Sequence, residues 1–207
     1  MPTFDPANLS GQEPYFLLTS LVVPRPIAWV STIAPDGTVN LAPHSYFNIM
    51  SSAPPIVHFT STGVKDSLRN VRESGEFVVN IVTRDLVEEM NDTSIDFPPD
   101  VSEMEWVGLE AAPSDVVAPP RVARAKAALE CRVRQITSMG NGNMVFGEVL
   151  RFHVDDRVWS DGRVDPEALD PVCRLSGAYY AEQGRVFKIP RRSFADVRHD
   201  RAAIPTA

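Results

Sequence analysis

LECRVRQITSMGNGNMVFGEVLRFHV, residues 129–154, is the stretch that decides the fold class. Leu129, Cys131 and Val133 alternate with Glu130, Arg132 and Arg134, the two-residue period of a strand with one buried face. After Gly140-Asn141-Gly142 a second strand follows, with Met144, Phe146, Glu148, Leu150 and Phe152 set against Val145, Gly147, Val149, Arg151 and His153. Glycine and asparagine tolerate the positive φ of a tight reversal, so the segment predicts one long antiparallel hairpin.

Shorter strands are predicted upstream. Pro26 to Ile33 runs to a turn at Ala34-Pro35-Asp36-Gly37, and Val39 to Ala42 returns. Ile56 to Thr60 and Phe77 to Val82 are compact apolar runs of strand length. Two helices interrupt them. Val64 to Ser74 places Val64, Leu68 and Val71 on one face and stops at Gly75; Asp85 to Asn91 carries Leu86, Val87 and Met90, with Thr83 as its cap. Asp92 to Arg124 is Pro-rich and aperiodic, and reads as a long structured excursion. The first 20 or so residues and the last 15 or so read as peripheral arms around a core of about 16–189, in a single domain spanning 1–207. Many short strands, few helices and no βαβ alternation predict a mainly β fold, a small antiparallel barrel.

The bulk properties exclude several functions. With 27 acidic against 20 basic residues the net charge is −7, and no basic run collects phosphates, so a nucleic-acid partner is not expected. No apolar run reaches the ~18 residues of a membrane span, and no secretory pattern opens the chain, which predicts a cytoplasmic protein. Cys131 and Cys173 alone give no disulfide framework, and the four histidines lack ligand spacing, so no metal site is expected. P-loop, dinucleotide and nucleophile-elbow motifs are absent. Polar clusters without a nucleophile and base point to a bound organic cofactor that supplies the chemistry.

Three clusters stand out. Ser61-Thr62-Gly63-Val64-Lys65-Asp66-Ser67 joins a strand to a helix, whose N-terminus offers unpaired N–H groups and the positive dipole end to an anion. The same residues also suit an ordinary capped helix, with Ser61 or Thr62 as the cap. Asn40-Leu41-Ala42-Pro43-His44-Ser45-Tyr46-Phe47-Asn48 crowds an amide, an imidazole and two aromatics, fit to hold a planar heterocycle or to pack as core. In Pro24-Arg25-Pro26-Ile27-Ala28-Trp29 the two prolines stiffen the backbone around Arg25, which suits either a ligand phosphate or carbonyl or a salt bridge.

In this order, these segments resemble the flavin reductase-like, FMN-binding family. The likeness also takes in Pro54-Pro55, Lys65-Asp66-Ser67-Leu68-Arg69-Asn70, Glu76-Phe77-Val78-Val79-Asn80, Gly108-Leu109, Pro119-Pro120-Arg121 and Phe146-Gly147-Glu148-Val149, and it spans roughly Phe16 to Ile189. The resemblance implies an FMN-binding split β-barrel of Greek-key-like form, a homodimer with flavin close to the subunit interface. Ser61, Thr62, Lys65 and Ser67 would then bind the phosphate. Asn40, Ser45, Tyr46 and Phe47 would line the flavin, and Arg25, Pro26, Ile27 and Ala28 would edge it. Asn141 or Asn143 and the Arg174-Leu175 segment would approach from the other side. Ser176-Gly177 follows Leu175 where many relatives carry paired glycines, a departure on the substrate side. The implied activity passes electrons from NADH or NADPH through flavin to a flavin or another acceptor, with a monooxygenase as one candidate partner. His44 is the candidate for proton traffic, with positioning as its first role. The competing readings are an FMN-bound electron carrier without a nicotinamide site and a flavin-free barrel for another ligand.

Overall fold

The computed structural model describes residues 1–195. The predicted hairpin is its longest feature. Strands β6 (Ala127–Met139) and β7 (Gly142–Val154) pair antiparallel across Gly140-Asn141, with register shifts at Phe146/Gly147 and Val149/Arg151. The other main strands are β1 (Ala28–Ile33), β2 (Val39–His44), β3 (Phe47–Ser52), β4 (Pro55–Thr62) and β5 (Glu76–Ile81). They build a seven-stranded antiparallel sheet in the order β2-β1-β5-β6-β7-β4-β3. Its two edges are consecutive in the chain. β2 runs into β3 through Ser45 and Tyr46, and the Tyr46 carbonyl accepts from the Thr60 N–H of β4 at 2.9 Å. The sheet therefore curls so that one corner of chain joins both edges.

Two apolar clusters stabilise the curl. Inside lie Ala28, Val30, Phe59, Phe77, Val79 and Val145, closed by Leu68 and Val71. Those two come from helix α2 (Asp66–Ser74), and burying each is worth roughly 2 kcal/mol. Gly147 is glycine because Phe77 packs against its backbone; a Cβ there would lie 2.3 Å from the ring. On the outer face, Trp29 and Leu41 pack with Leu86, Met90, Met104 and Val122. β1 is thus buried on both sides, which hides the two-residue period in its sequence.

The structure corrects several expectations. The N-terminal segment is more than an arm: α1 (Glu13–Leu21) forms there, with a proline in its first turn. α2 starts at Asp66 instead of Val64, which is exposed, and Lys65 takes the N-cap position in place of Ser61 or Thr62. Gly75 ends α2 with φ 70°, the left-handed conformation expected of it. The second predicted helix splits into a 3-10 turn, Arg84–Leu86, and α3 (Val87–Asp92). Thr83 does not cap it through the backbone, because its hydroxyl donates to the Asp85 carboxylate at 2.6 Å.

The excursion lies over the sheet, carrying α4 (Glu103–Trp106) and a short pairing of Ala111–Ala112 with Arg121–Val122. It also covers Glu130, on the strand face opposite Leu129, Cys131 and Val133. Backbone N–H groups of Asp115 and Val116 donate to its two oxygens at 2.7 Å each, His153 Nε2 lies 2.5 Å from Oε1, and Glu130 is fully buried. No helix among the described residues is long and apolar enough to cross a membrane.

Candidate functional site

The β2–β3 corner, the end of β4 and the start of α2 converge on a cavity of about 250 Å³. Its wall carries seven of the residues expected there: Asn40, Ser45, Tyr46, Ser61, Thr62, Lys65 and Ser67, together with His44. A second cavity, of about 210 Å³, shares Pro43, Ser45 and Tyr46 with the first and holds Arg25, Ile27 and Arg174. Tyr15 of α1 lines both, so the segment read as a peripheral arm supplies part of the site.

The start of α2 has the properties of an anion site. Its cap makes no side-chain hydrogen bond, and the first N–H to find a helical acceptor is that of Arg69, bonded to the Lys65 carbonyl. The N–H groups of Asp66, Ser67 and Leu68 therefore remain at the positive end of the helix dipole, without a helical partner. The Lys65 ammonium is mostly exposed and meets the still more open Asp96 carboxylate at 2.7 Å. That hydrogen bond, and then the charge of Lys65, hold Asp96 below its usual pKa.

Beneath this end the wall carries His44, Ser67 and Tyr46. His44 packs against Phe59 at a 44° tilt with ring centroids 4.7 Å apart, and its Nε2 lies 3.3 Å from Ser67 Oγ. Burial first, and Lys65 nearby, depress its pKa to about 4, so the ring is neutral near pH 7. Burial likewise raises the pKa of the Tyr46 phenol, which stays protonated. Sequence reading missed Glu103 at the inner end, which is buried and bonded to Asn40 Nδ2 at 2.7 Å and to the Leu41 N–H at 2.9 Å. Burial pushes its pKa up while these two donors oppose the shift. Ser102 caps α4 by accepting from the Glu105 N–H, so the S-x-x-E pattern of residues 102–105 was the available signal for that helix.

Other expected residues take structural places. Arg25 is buried, and its guanidinium donates to the carbonyls of Thr19 (2.7 Å), Val22 (2.8 Å) and Leu175 (2.7 Å), with Ser45 Oγ at 3.5 Å. Four of its five N–H groups are thereby engaged. Ala28 is core, Phe47 packs against the core, and Pro26 pairs with Cys173 at the surface. The Asn141 carbonyl accepts from the Gly63 N–H at 3.0 Å, and Asn143 Nδ2 donates to the Gly63 and Ser61 carbonyls at 3.3 and 3.4 Å. The hairpin turn thus braces the 61–63 loop from behind. Arg174 lies 4.6 Å from the Tyr180 ring centroid, and its guanidinium donates to the Tyr180 hydroxyl and the Gly177 carbonyl. Asp115, Glu130 and His153 form a cluster of metal-ligand type, but both Glu130 oxygens already accept backbone hydrogen bonds.

Comparison with known proteins decides the family. The flavin reductase like domain matches residues 20–168. The chain belongs to the flavin reductase-like family. A similar but uncharacterised protein of Halalkalibacterium halodurans is 39% identical over 94% of this chain and 98% of its own length. Nitrilotriacetate monooxygenase component B from Bacillus cereus superposes with TM-score 0.89 at 35% identity, covering 91% of this chain and 98% of that one. The 2-nitrobenzoate 2-nitroreductase of Pseudomonas fluorescens covers both chains fully, with TM-score 0.87 and 31% identity. A split-barrel chain from Shewanella frigidimarina shares the fold at 21% identity, with TM-score 0.80 over 90% of this chain and 96% of its own. The curled sheet is therefore a flavin reductase-like split barrel, of a family whose cofactor class is a flavin.

Proposed function

We propose that this flavin reductase-like chain binds FMN across the two adjoining cavities and passes electrons from NADH or NADPH to a flavin or another acceptor. The observation that carries the proposal is the start of α2: unpaired N–H groups beside an exposed lysine, at one end of a site whose middle is walled by Tyr46 and Ser45. The residues present fit the cofactor at its charged end. The N–H groups of Asp66, Ser67 and Leu68 and the Lys65 ammonium would hold the phosphate, and Thr62 would add a hydroxyl. Ser67 would contribute its N–H and not its hydroxyl, which donates to Asn40 Oδ1 at 2.9 Å.

Bound FMN supplies the hydride and electron transfer; the protein supplies position and electrostatics. Ser45 and Tyr46 would orient the ring by hydrogen bonds, and Tyr15 would cover it from α1. Arg25 would act from the second cavity through its long-range positive charge, favouring the anionic reduced ring. His44, neutral and buried, would position Ser67 and hold no proton for delivery at neutral pH.

We place the protein in the cytoplasm as a homodimer. Leu18, Leu21 and Val22 near the end of α1, with Ile49 and Met50 of β3, are exposed large apolar side chains, and a second copy would cover them. Likeness to a monooxygenase component B supports a partner oxygenase as acceptor, and likeness to a nitroreductase supports a nitroaromatic one.

The test is an anaerobic spectrum of purified protein with added FMN, before and after NADH or NADPH. Rapid bleaching of bound flavin is expected and names the donor. Bleaching by dithionite alone would replace the proposal with an electron carrier. A colourless protein would remove flavin from it altogether. Sedimentation of the FMN-bound form should give twice the 22.8 kDa chain mass.

A further inference from the structure

One chain of hydrogen bonds runs along the buried wall of the first cavity, and its directions are set from one end. Both oxygens of Glu103 receive hydrogen bonds, and a carboxyl group filled in this way acts only as an acceptor. Glu103 Oε2 receives the Leu41 N–H at 2.9 Å, so the Asn40 atom 2.7 Å from Oε1 is the amide nitrogen. Asn40 Oδ1 must then face the other way, toward the hydroxyls of Ser67 at 2.9 Å and Thr32 at 3.3 Å. Thr32 is already turned to donate, because its oxygen receives Asn70 Nδ2 at 3.0 Å. Ser67 has a single proton, and Asn40 takes it. Toward His44 it presents only a lone pair, 3.3 Å from Nε2. A hydrogen bond forms there only if Nε2 carries the hydrogen.

We infer that Glu103 is a positioning residue which, through Asn40 and Ser67, fixes the single ring proton of His44 on Nε2. Burial keeps the ring neutral, so it has one N–H to place, and the Thr60 backbone is its competing polar neighbour. Every member of the chain is buried, where an unmade hydrogen bond costs about 1–3 kcal/mol. The chain also withdraws the Ser67 hydroxyl from any anion in the cavity. None of this depends on the identity of the ligand.

Glu103→Gln inverts the logic without changing the shape. The glutamine oxygen keeps the Leu41 N–H, and its NH₂ faces Asn40, which must turn over to offer Oδ1. Asn40 then presents its NH₂ to Ser67, and the released hydroxyl proton points at Nε2 of His44. The ring proton moves to Nδ1. Long-range ¹H–¹⁵N correlation on histidine-labelled protein near neutral pH distinguishes the tautomers, and the chain has only four histidines to assign. We expect Nε2–H at His44 in the wild type and Nδ1–H in Glu103→Gln. A wild type carrying Nδ1–H overturns the inference without any variant. A folded Glu103→Gln protein that retains Nε2–H overturns it equally.

Discussion

Arg25 and Lys65 are two cations lining two adjoining cavities, and the fold treats them differently. Arg25 is buried, and three backbone carbonyls from α1, the turn after it and the 175 segment converge on its guanidinium. Lys65 is open to solvent, held by one ion pair with a carboxylate more exposed than itself. Sequence position alone made both look like ligand contacts. Burial and hydrogen-bond saturation separate them: a donor already spent on carbonyls serves the fold, and a donor on a weak, exposed pair is free to exchange partners.

Arg25→Ala should produce the largest effect. It strands the carbonyls of Thr19, Val22 and Leu175 and releases α1 from the barrel, at a cost of about 3 kcal/mol. Urea denaturation should show this as a lower midpoint, and Arg25→Lys should recover only part of it, since an ammonium lacks the planar fork. A variant as stable as the wild type would mean that Arg25, too, is held in readiness for a ligand.

Lys65→Ala should do the reverse. Exposed ion pairs are worth about 0–1 kcal/mol, so stability should hardly change. Flavin affinity should fall about tenfold, the loss of one charge-assisted contact of roughly 1.4 kcal/mol. Fluorescence titration with FMN and with riboflavin checks this, because only FMN carries the phosphate. An equal loss for both would place Lys65 against the ring and dissolve the contrast between the two cations.

The same two cations show what the sequence could reveal. The 129–154 hairpin, the strand before α2 and the Gly75 stop follow from local rules: alternation, turn residues and a positive φ. The candidate anion site could be proposed from the chain because helix start, glycine and lysine are contiguous in it. Arg25's role was not, because its acceptors are backbone carbonyls up to 150 residues away, and a carbonyl has no letter of its own. The burial of Glu130 was hidden because alternation reports only the sheet, and the excursion that covers it comes from residues 115 and 116. Glu103 was hidden for a related reason. Its burial depends on β2 meeting α4, a contact across some 60 residues that no local period encodes. α1 is apolar on several sides yet largely exposed, so it carries no one-sided stripe to mark it as a helix packed on the barrel.

Asp96→Asn should have the smallest effect and the most informative sign. The Asp96 carboxylate neutralises Lys65 when no ligand is bound, and an incoming phosphate would meet its negative charge. Two unit charges about 5 Å apart in water repel by roughly 0.8 kcal/mol, so removing one should tighten FMN binding about fourfold. Riboflavin should not respond, and the gain should shrink as salt is raised, because both groups are exposed and screened. Looser FMN binding in Asp96→Asn would show that the carboxylate holds the Lys65 side chain over the helix end. Lys65 would then be pre-positioned by a neighbour just as Arg25 is, and the two cations would differ only in how deeply that neighbour is buried.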